Sequence, residues 1–321
     1  MLLPRVWFLV LLLSLALGHW SLAAETGPPP RFVVDDEAFE DTVIATAQKL
    51  VKQGKLIRSD VLQKQLTRSF SPVKFAAPSA EKLAPPDLYD RVRESTLAIG
   101  SVFKCTNCSD WHFNSATGFV VAEDGVVSTA YHVAAGKDDE ADPKFGSFLV
   151  AADSAGKVFP VKEVLAADVE SDTCLLRIEA TGLKPLALRT GVRTGEKIFC
   201  LSHPDGNHFL FSEGMVARIH LMHDVLGADG ADDKPERGSR PILCVNVTAD
   251  FAPGSSGGPI VDEAGNVVAQ VQSIANFVDD DGKGPGPLVV GPVRYCVSSE
   301  EIVRLAQKHE PPSKKKRPRK K

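Results

Sequence analysis

From residue 96 to about 297 the chain is a succession of short β-rich runs separated by Gly, Asp and Pro. The clearest are 96–103, 117–122, 125–130, 148–151, 174–178, 197–201, 215–219, 242–247 and 267–274. Many short strands with turn signals between them predict an all-β barrel or sandwich. On either side the pattern is different. Phe39, Val43, Ile44, Ala47, Leu50 and Val51 recur at helical spacing, and Gly54 supplies a stop signal. A second helical stretch follows over 60–70, then a linker rich in Pro, Ala and Ser over 71–86 and one or two helical turns over 87–94. Such a helical pair packs on the β domain or serves oligomer contacts. At the other end Ser298 and Glu301 form a capping box that opens a last helix to about residue 308.

The termini add two features. Residues 1–23 read as an export signal, with Arg5, a short apolar run over 6–17, and Ser21 and Ala23 as the small residues before a cleavage point. That run is short for a membrane span, which takes about 20 residues; an uncleaved anchor is the other reading. The organisation expected is therefore a signal over 1–23, a helical extension and linker over 24–86, the β-rich domain over 87–310 and a basic tail over 311–321. The mature protein is expected to be soluble and exported, periplasmic or secreted. The net charge of −4 is unevenly spread, because seven of the 37 basic residues lie in 314–321. Without them 30 basic residues face 41 acidic ones, about −11, which argues against a nucleic-acid-binding core. The tail fits a tether to an anionic surface or a solubilising segment.

Chemistry concentrates in the stretch Phe251-Ala252-Pro253-Gly254-Ser255-Ser256-Gly257-Gly258-Pro259-Ile260. It holds Ser256 between glycines, with a β-like run on either side. A turn of this kind can aim the N–H groups of Gly254 and Ser256 at one point beside the Ser256 oxygen, the arrangement acyl transfer needs. The bland alternative is a Gly/Ser-rich connection. A serine hydroxyl near neutral pH needs an adjacent base, and the base an orienting group. His132 closes a strand, Asp-Gly turn, strand sequence over 116–133. Asp172 opens the apolar run Thr173-Cys174-Leu175-Leu176-Arg177-Ile178. Asp168 competes for the carboxylate role, but only Asp172 abuts that strand.

These motifs, in the order His, Asp, Ser, resemble those of trypsin-like serine endopeptidases, and most nearly the HtrA/Deg-type branch. The resemblance rests on 118–121 through Thr129-Ala130-Tyr131-His132-Val133, on Asp172-Thr173-Cys174-Leu175-Leu176, and on Pro253-Gly254-Ser255-Ser256-Gly257-Gly258-Pro259. Lesser echoes are Gly195-Glu196-Lys197 with Ser202-His203-Pro204, and Ser212-Glu213-Gly214-Met215-Val216. It covers roughly 88–306 and implies two six-stranded antiparallel β-barrels with the site between them. It implies Ser256 as nucleophile, His132 as general base and acid, Asp172 as orienting carboxylate, and the Gly254 and Ser256 N–H groups as oxyanion donors. Protein or peptide substrates follow, with no cofactor. The PDZ domain usual in that branch is not expected, since one helix and the tail follow the β domain. Tyr131 and Ser255 depart from the branch's usual residues. A non-catalytic binding module of the same fold is the rival reading.

By the same resemblance Asp250, six residues before Ser256, stands at the base of a specificity pocket. A buried carboxylate there would favour Lys or Arg substrates; otherwise Asp250 is solvated and the pocket takes small aliphatic groups. Gln270, Val271 and Gln272 are expected in the substrate wall. Six cysteines in an exported chain permit disulfides. Cys105 and Cys108 form a C-x-x-C pair near His112, and with no second such pair a small disulfide loop or free thiols is preferred over a metal site. Cys174, Cys200 and Cys244 lie in apolar runs and read as buried small hydrophobes. Residues 279–282 faintly suggest a cation loop but lack EF-hand spacing and read as a solvated turn.

Overall fold

Twelve strands run in sequence as Thr96–Lys104 (β1), Trp111–Ala122 (β2), Val126–Ala130 (β3), Ser147–Ala152 (β4), Val158–Asp168 (β5), Thr173–Ile178 (β6), Lys197–Ser202 (β7), Leu210–Asp224 (β8), Arg237–Val247 (β9), Pro259–Val261 (β10), Val267–Asp279 (β11) and Leu288–Ser298 (β12). The computed structural model of the protein describes residues 32–136, 140–224, 237–279 and 288–307. The signal at 1–23, the basic tail and most of the 279–282 turn lie outside those residues. Among the described residues no helix is long and apolar enough to cross a membrane.

The strands form two closed antiparallel barrels, β1-β2-β3-β6-β5-β4 and β10-β11-β12-β9-β8-β7. Pairing of β1 with β4 closes the first, and pairing of β10 with β7 closes the second. Each has its own apolar core. Leu97, Ile99, Val120, Val127, Phe159 and Leu176 fill the first, and Ile198, Val216, Val245, Ile260, Val268 and Val271 the second.

The sequence reading located β1, β2, β3, β4, β6, β7, β8, β9 and β11 in part or whole, and missed β5, β10 and β12. In β5 the register against β6 shifts between Val161 and Glu163 and again between Val164 and Ala166. Those bulges break the two-residue alternation on which strand recognition depends.

The N-terminal helices are built onto the barrels. Helix α1, Asp36–Lys52, is capped by the Asp35 carboxylate, which accepts from the Ala38 N–H, and it buries Phe39, Val43 and Ala47. Helix α2 is shorter than the expected 60–70, ending as Ser59–Gln63. Its continuation is drawn onto β5 instead. Gln65 Oε1 accepts from the Val164 N–H, Arg68 Nη1 donates to the Val164 carbonyl, and the Arg68 carbonyl accepts from the Ala167 N–H. Leu62 of α2 is buried in the first core, a gain of about 1.5–3 kcal/mol over an exposed side chain. Helix α3, Pro85–Arg93, leads into β1.

The C-terminal helix covers Ser299–Leu305, with Ser298 as its N-cap. The expected capping box is incomplete. Ser298 Oγ accepts from the Glu300 N–H, while the Glu301 carboxylate takes the Leu243 N–H and pairs with Arg240. All six cysteines are free thiols, so no disulfide joins Cys105 and Cys108. Cys174, Cys200, Cys244 and Cys296 are buried, and burial pushes the Cys200 and Cys244 thiols up to about 12.

Candidate active site

Pairing of β3 with β6 sets Ala130 opposite Thr173, which brings the residues just beyond those strand ends together. A short helix, Tyr131–Ala135 (α4), starts there and carries His132 on its first turn. Asp172 sits in the left-handed backbone region, with φ of 54°, where Asp is among the few side chains tolerated. Its carboxylate is fully buried and both oxygens are engaged by one residue. Oδ1 accepts from the His132 backbone N–H at 3.0 Å, and Oδ2 lies 2.8 Å from Nδ1 of the imidazole. The Asp172 carbonyl also accepts from the Tyr131 N–H at 3.1 Å. A proton on Nδ1 satisfies that contact and leaves Nε2 as the basic nitrogen.

Ser256 belongs to the turn between β9 and β10. Gly254 and Gly257 there have φ of 91° and 83°. A Cβ at Gly254 would lie 2.4 Å from the His203 carbonyl oxygen, and one at Gly257 would lie 2.3 Å from that of Thr117. Only glycine fits such positions. The turn is tied from all sides. The Thr117 N–H donates to the Ser256 carbonyl, Thr117 Oγ1 donates to the Gly254 carbonyl at 2.9 Å, and the Gly257 N–H donates to the Val271 carbonyl. The Asp205 N–H donates to the Pro253 carbonyl at 2.7 Å, and Ser202 Oγ bonds to Ser255 Oγ at 2.9 Å.

In a trans peptide the N–H points away from the preceding carbonyl, so anchoring the Pro253 oxygen on Asp205 turns the Gly254 N–H to the opposite side. Among the described residues neither the Gly254 nor the Ser256 N–H has a protein acceptor. Ser256 Oγ donates to the Gln272 carbonyl at 3.5 Å, the outer limit of such a bond.

His132 and Ser256 line one cleft of about 480 Å³, together with Phe251, Ala252, Pro253 and residues 271–274. Among the described residues no Asp, Glu, Lys or Arg lines it.

Residues 116–269 match the family model of the trypsin-like peptidase domain. The chain carries a trypsin-like peptidase domain. The chain is similar to the chloroplastic Protease Do-like 1 of Arabidopsis thaliana, 29% identical over 48% of this chain and 32% of that protein. It is also similar to the serine protease Rv3671c of Mycobacterium tuberculosis, 30% identical over 52% of this chain and 38% of the other. The crystal structure of that protease in its active form shares the fold, with a TM-score of 0.50 and 21% identity over 74% of this chain and 90% of that one. The chain spans between 22% and 55% of the length of the first curated relatives it matches.

The other residues singled out in the sequence fall in different places. Val271 and Gln272 line the cleft. Gln270 does not; it is fully buried between the barrels, where its Oε1 accepts from Ser128 Oγ and its Nε2 donates to the Thr129 carbonyl. Asp250 is outside the cleft lining as well. Its side chain is 79% exposed and pairs with Arg294, so no buried carboxylate meets a substrate there. Asp168 accepts from the Glu170 N–H and Ser171 Oγ and pairs with Arg240, which removes it from competition for His132.

Sequence reasoning missed Thr117, because an interior strand threonine carries no local sign of the two loops it joins. It likewise missed His203, whose N–H donates to Thr117 Oγ1 and whose Nδ1 accepts from the Phe209 N–H. Burial pushes His203 down to about 3, so the imidazole is neutral.

Proposed function

We propose that the protein is an exported serine endopeptidase of HtrA type that cleaves protein substrates through an acyl-enzyme. The single observation that carries this is the grip of His132 on both oxygens of Asp172, in a cleft that also contains Ser256. Ser256 Oγ attacks the scissile carbonyl carbon while His132 Nε2 takes the hydroxyl proton. The tetrahedral oxyanion is met by the Gly254 and Ser256 N–H groups. Collapse breaks the C–N bond, and His132 returns the proton to the leaving amine. Water then repeats the sequence on the acyl-enzyme with His132 again as base. Asp172 stays ionised, holding the ring orientation and balancing the imidazolium.

The weak Ser256 to Gln272 bond gives a catalytically silent module little support, since a donor at 3.5 Å is readily released. The uncharged lining supports preference for an apolar rather than a basic side chain at the scissile bond. Export is supported by residues 1–23, and anionic-surface attachment by the tail, both from sequence alone.

A fluorophosphonate probe tests the proposal. Wild-type protein is expected to be labelled at Ser256, Ser256→Ala not at all, and Asp172→Asn about 10⁴-fold more slowly. A folded wild-type protein that stays unlabelled would refute the protease reading.

A further inference from the structure

Outside the cleft, the end of the β1–β2 hairpin gathers two thiols and an imidazole. We infer that Cys105, Cys108 and His112 bind a divalent transition-metal ion of the zinc class, with the Glu140 carboxylate as fourth ligand. The hairpin geometry explains how the donors meet. Lys104 pairs with Trp111, and the Cys105 N–H donates to the Asp110 carbonyl at 2.8 Å, so the intervening residues turn back on themselves. Cys105 Sγ is fixed by the Asn107 N–H at 3.3 Å, and Cys108 Sγ lies 2.9 Å from His112 Nε2. The His112 ring is held against Phe103, with centroids 5.8 Å apart.

All three donor atoms lie within 4.8 Å of one another. A tetrahedral zinc ion, with Zn–S about 2.3 Å and Zn–N about 2.0–2.1 Å, spaces such donors about 3.6–3.8 Å apart. Adjustments of about 1 Å therefore suffice, and two of the three side chains are exposed, which leaves a path for entry.

The fourth donor comes from a distant part of the chain, which is why no second C-x-x-C is needed. The Glu140 carbonyl accepts from the Thr106 N–H at 2.9 Å and from Thr106 Oγ1 at 3.2 Å. Cys105 pairs with Ala141, and the Asp142 N–H donates to the Lys104 carbonyl at 2.7 Å. That backbone is thus fastened beside Cys105, and Glu140 Oε2 is 3.8 Å from its sulfur. The carboxylate stands beside the cluster of three, and a rotamer change of an exposed side chain, fast on any binding timescale, brings it onto the ion. Two sulfurs, one nitrogen and one oxygen select zinc or a similar borderline ion over calcium or magnesium, which take oxygen ligands. A closed four-ligand set is structural. It would clamp the hairpin to residues 140–142, downstream of the helix that carries His132.

The test uses the full chain purified with its thiols reduced, and zinc and cobalt(II) as probes. Expected results are one equivalent of metal per chain, tetrahedral d–d and thiolate-to-cobalt charge-transfer bands, and a thermal midpoint raised by zinc. Cys108→Ser and His112→Ala change exposed residues and should fold, yet each should lose at least the roughly 10–100-fold in affinity that removal of even an outer-shell partner costs. Glu140→Gln should weaken zinc binding while retaining the cobalt–thiolate bands. Substoichiometric binding, binding indifferent to Cys108→Ser and His112→Ala, or a Cys105–Cys108 disulfide in protein isolated without reductant would each overturn the assignment. None of these readouts depends on protease activity.

Discussion

Thr117→Val isolates how the Gly254 peptide is held. Valine keeps the shape of the fully buried Thr117 but removes a hydroxyl that donates to the Gly254 carbonyl at 2.9 Å and accepts from the His203 N–H at 3.2 Å. Each buried group left without a partner costs about 1–3 kcal/mol. Because both partners depend on one hydroxyl and relax together, a combined loss of about 3 kcal/mol is expected. In a domain of this size that lowers the thermal midpoint by about 6–12 °C. The kinetic effect is separate. With its carbonyl released, the Gly254–Ser255 peptide, which lies between the peptides that carry the Gly254 and Ser256 N–H groups, is free to rotate and to swing those groups out of line; on the proposed mechanism, losing one oxyanion donor costs about 10²–10³ in kcat. The assay is the second-order rate of fluorophosphonate labelling at Ser256, measured well below the variant's thermal midpoint, alongside cleavage of a denatured protein substrate. A drop of about 10² with the fold intact is expected. If the midpoint falls as calculated while labelling keeps its wild-type rate, the hydroxyl is only structural and the reasoning about the Gly254 peptide fails.

Two further results are expected. Asp250→Asn should leave the mapped cleavage-site preference unchanged and stability within about 0.5 kcal/mol of wild type, because Asp250 is exposed and paired with Arg294; a shift in preference away from Lys and Arg would show that it reaches the substrate. His203 is held neutral by burial, its pKa pushed down to about 3 from the usual 6.5. Between those values the unfolded chain binds the extra proton, so this contribution is complete above about pH 6.5 and is lost as pH falls, by up to about 1.4 kcal/mol per unit. Urea unfolding at pH 7 and pH 5 should therefore show a smaller acid-induced loss in His203→Gln than in wild type, by about 2 kcal/mol; equal losses would place the acid sensitivity elsewhere.

What could be read from the sequence and what could not divides along a physical line. His132, Asp172 and the Ser256 loop announce themselves because each sits in a local context that dictates its backbone: a strand end, a left-handed turn, glycines with positive φ. Thr117, Gln270 and Glu140 act through partners 30 or more residues away, and nothing in their neighbours reveals it. The cleft wall makes the same point within one strand. Strict two-residue alternation along β11 would turn only every second side chain toward a substrate. Yet residues 271–274 all line the cleft. The reason is a bulge: Val271 pairs with Cys296 and Ser273 with Tyr295, leaving Gln272 as the extra residue. Bulges beside active sites re-aim side chains in this way. The bulge also separates Gln270, committed to the joint between the barrels, from the residues that follow it into the cleft. A reading that grouped Gln270, Val271 and Gln272 as one wall was therefore bound to misplace the first of them, because the register that parts them is set by β12 and not by the residues of β11 itself.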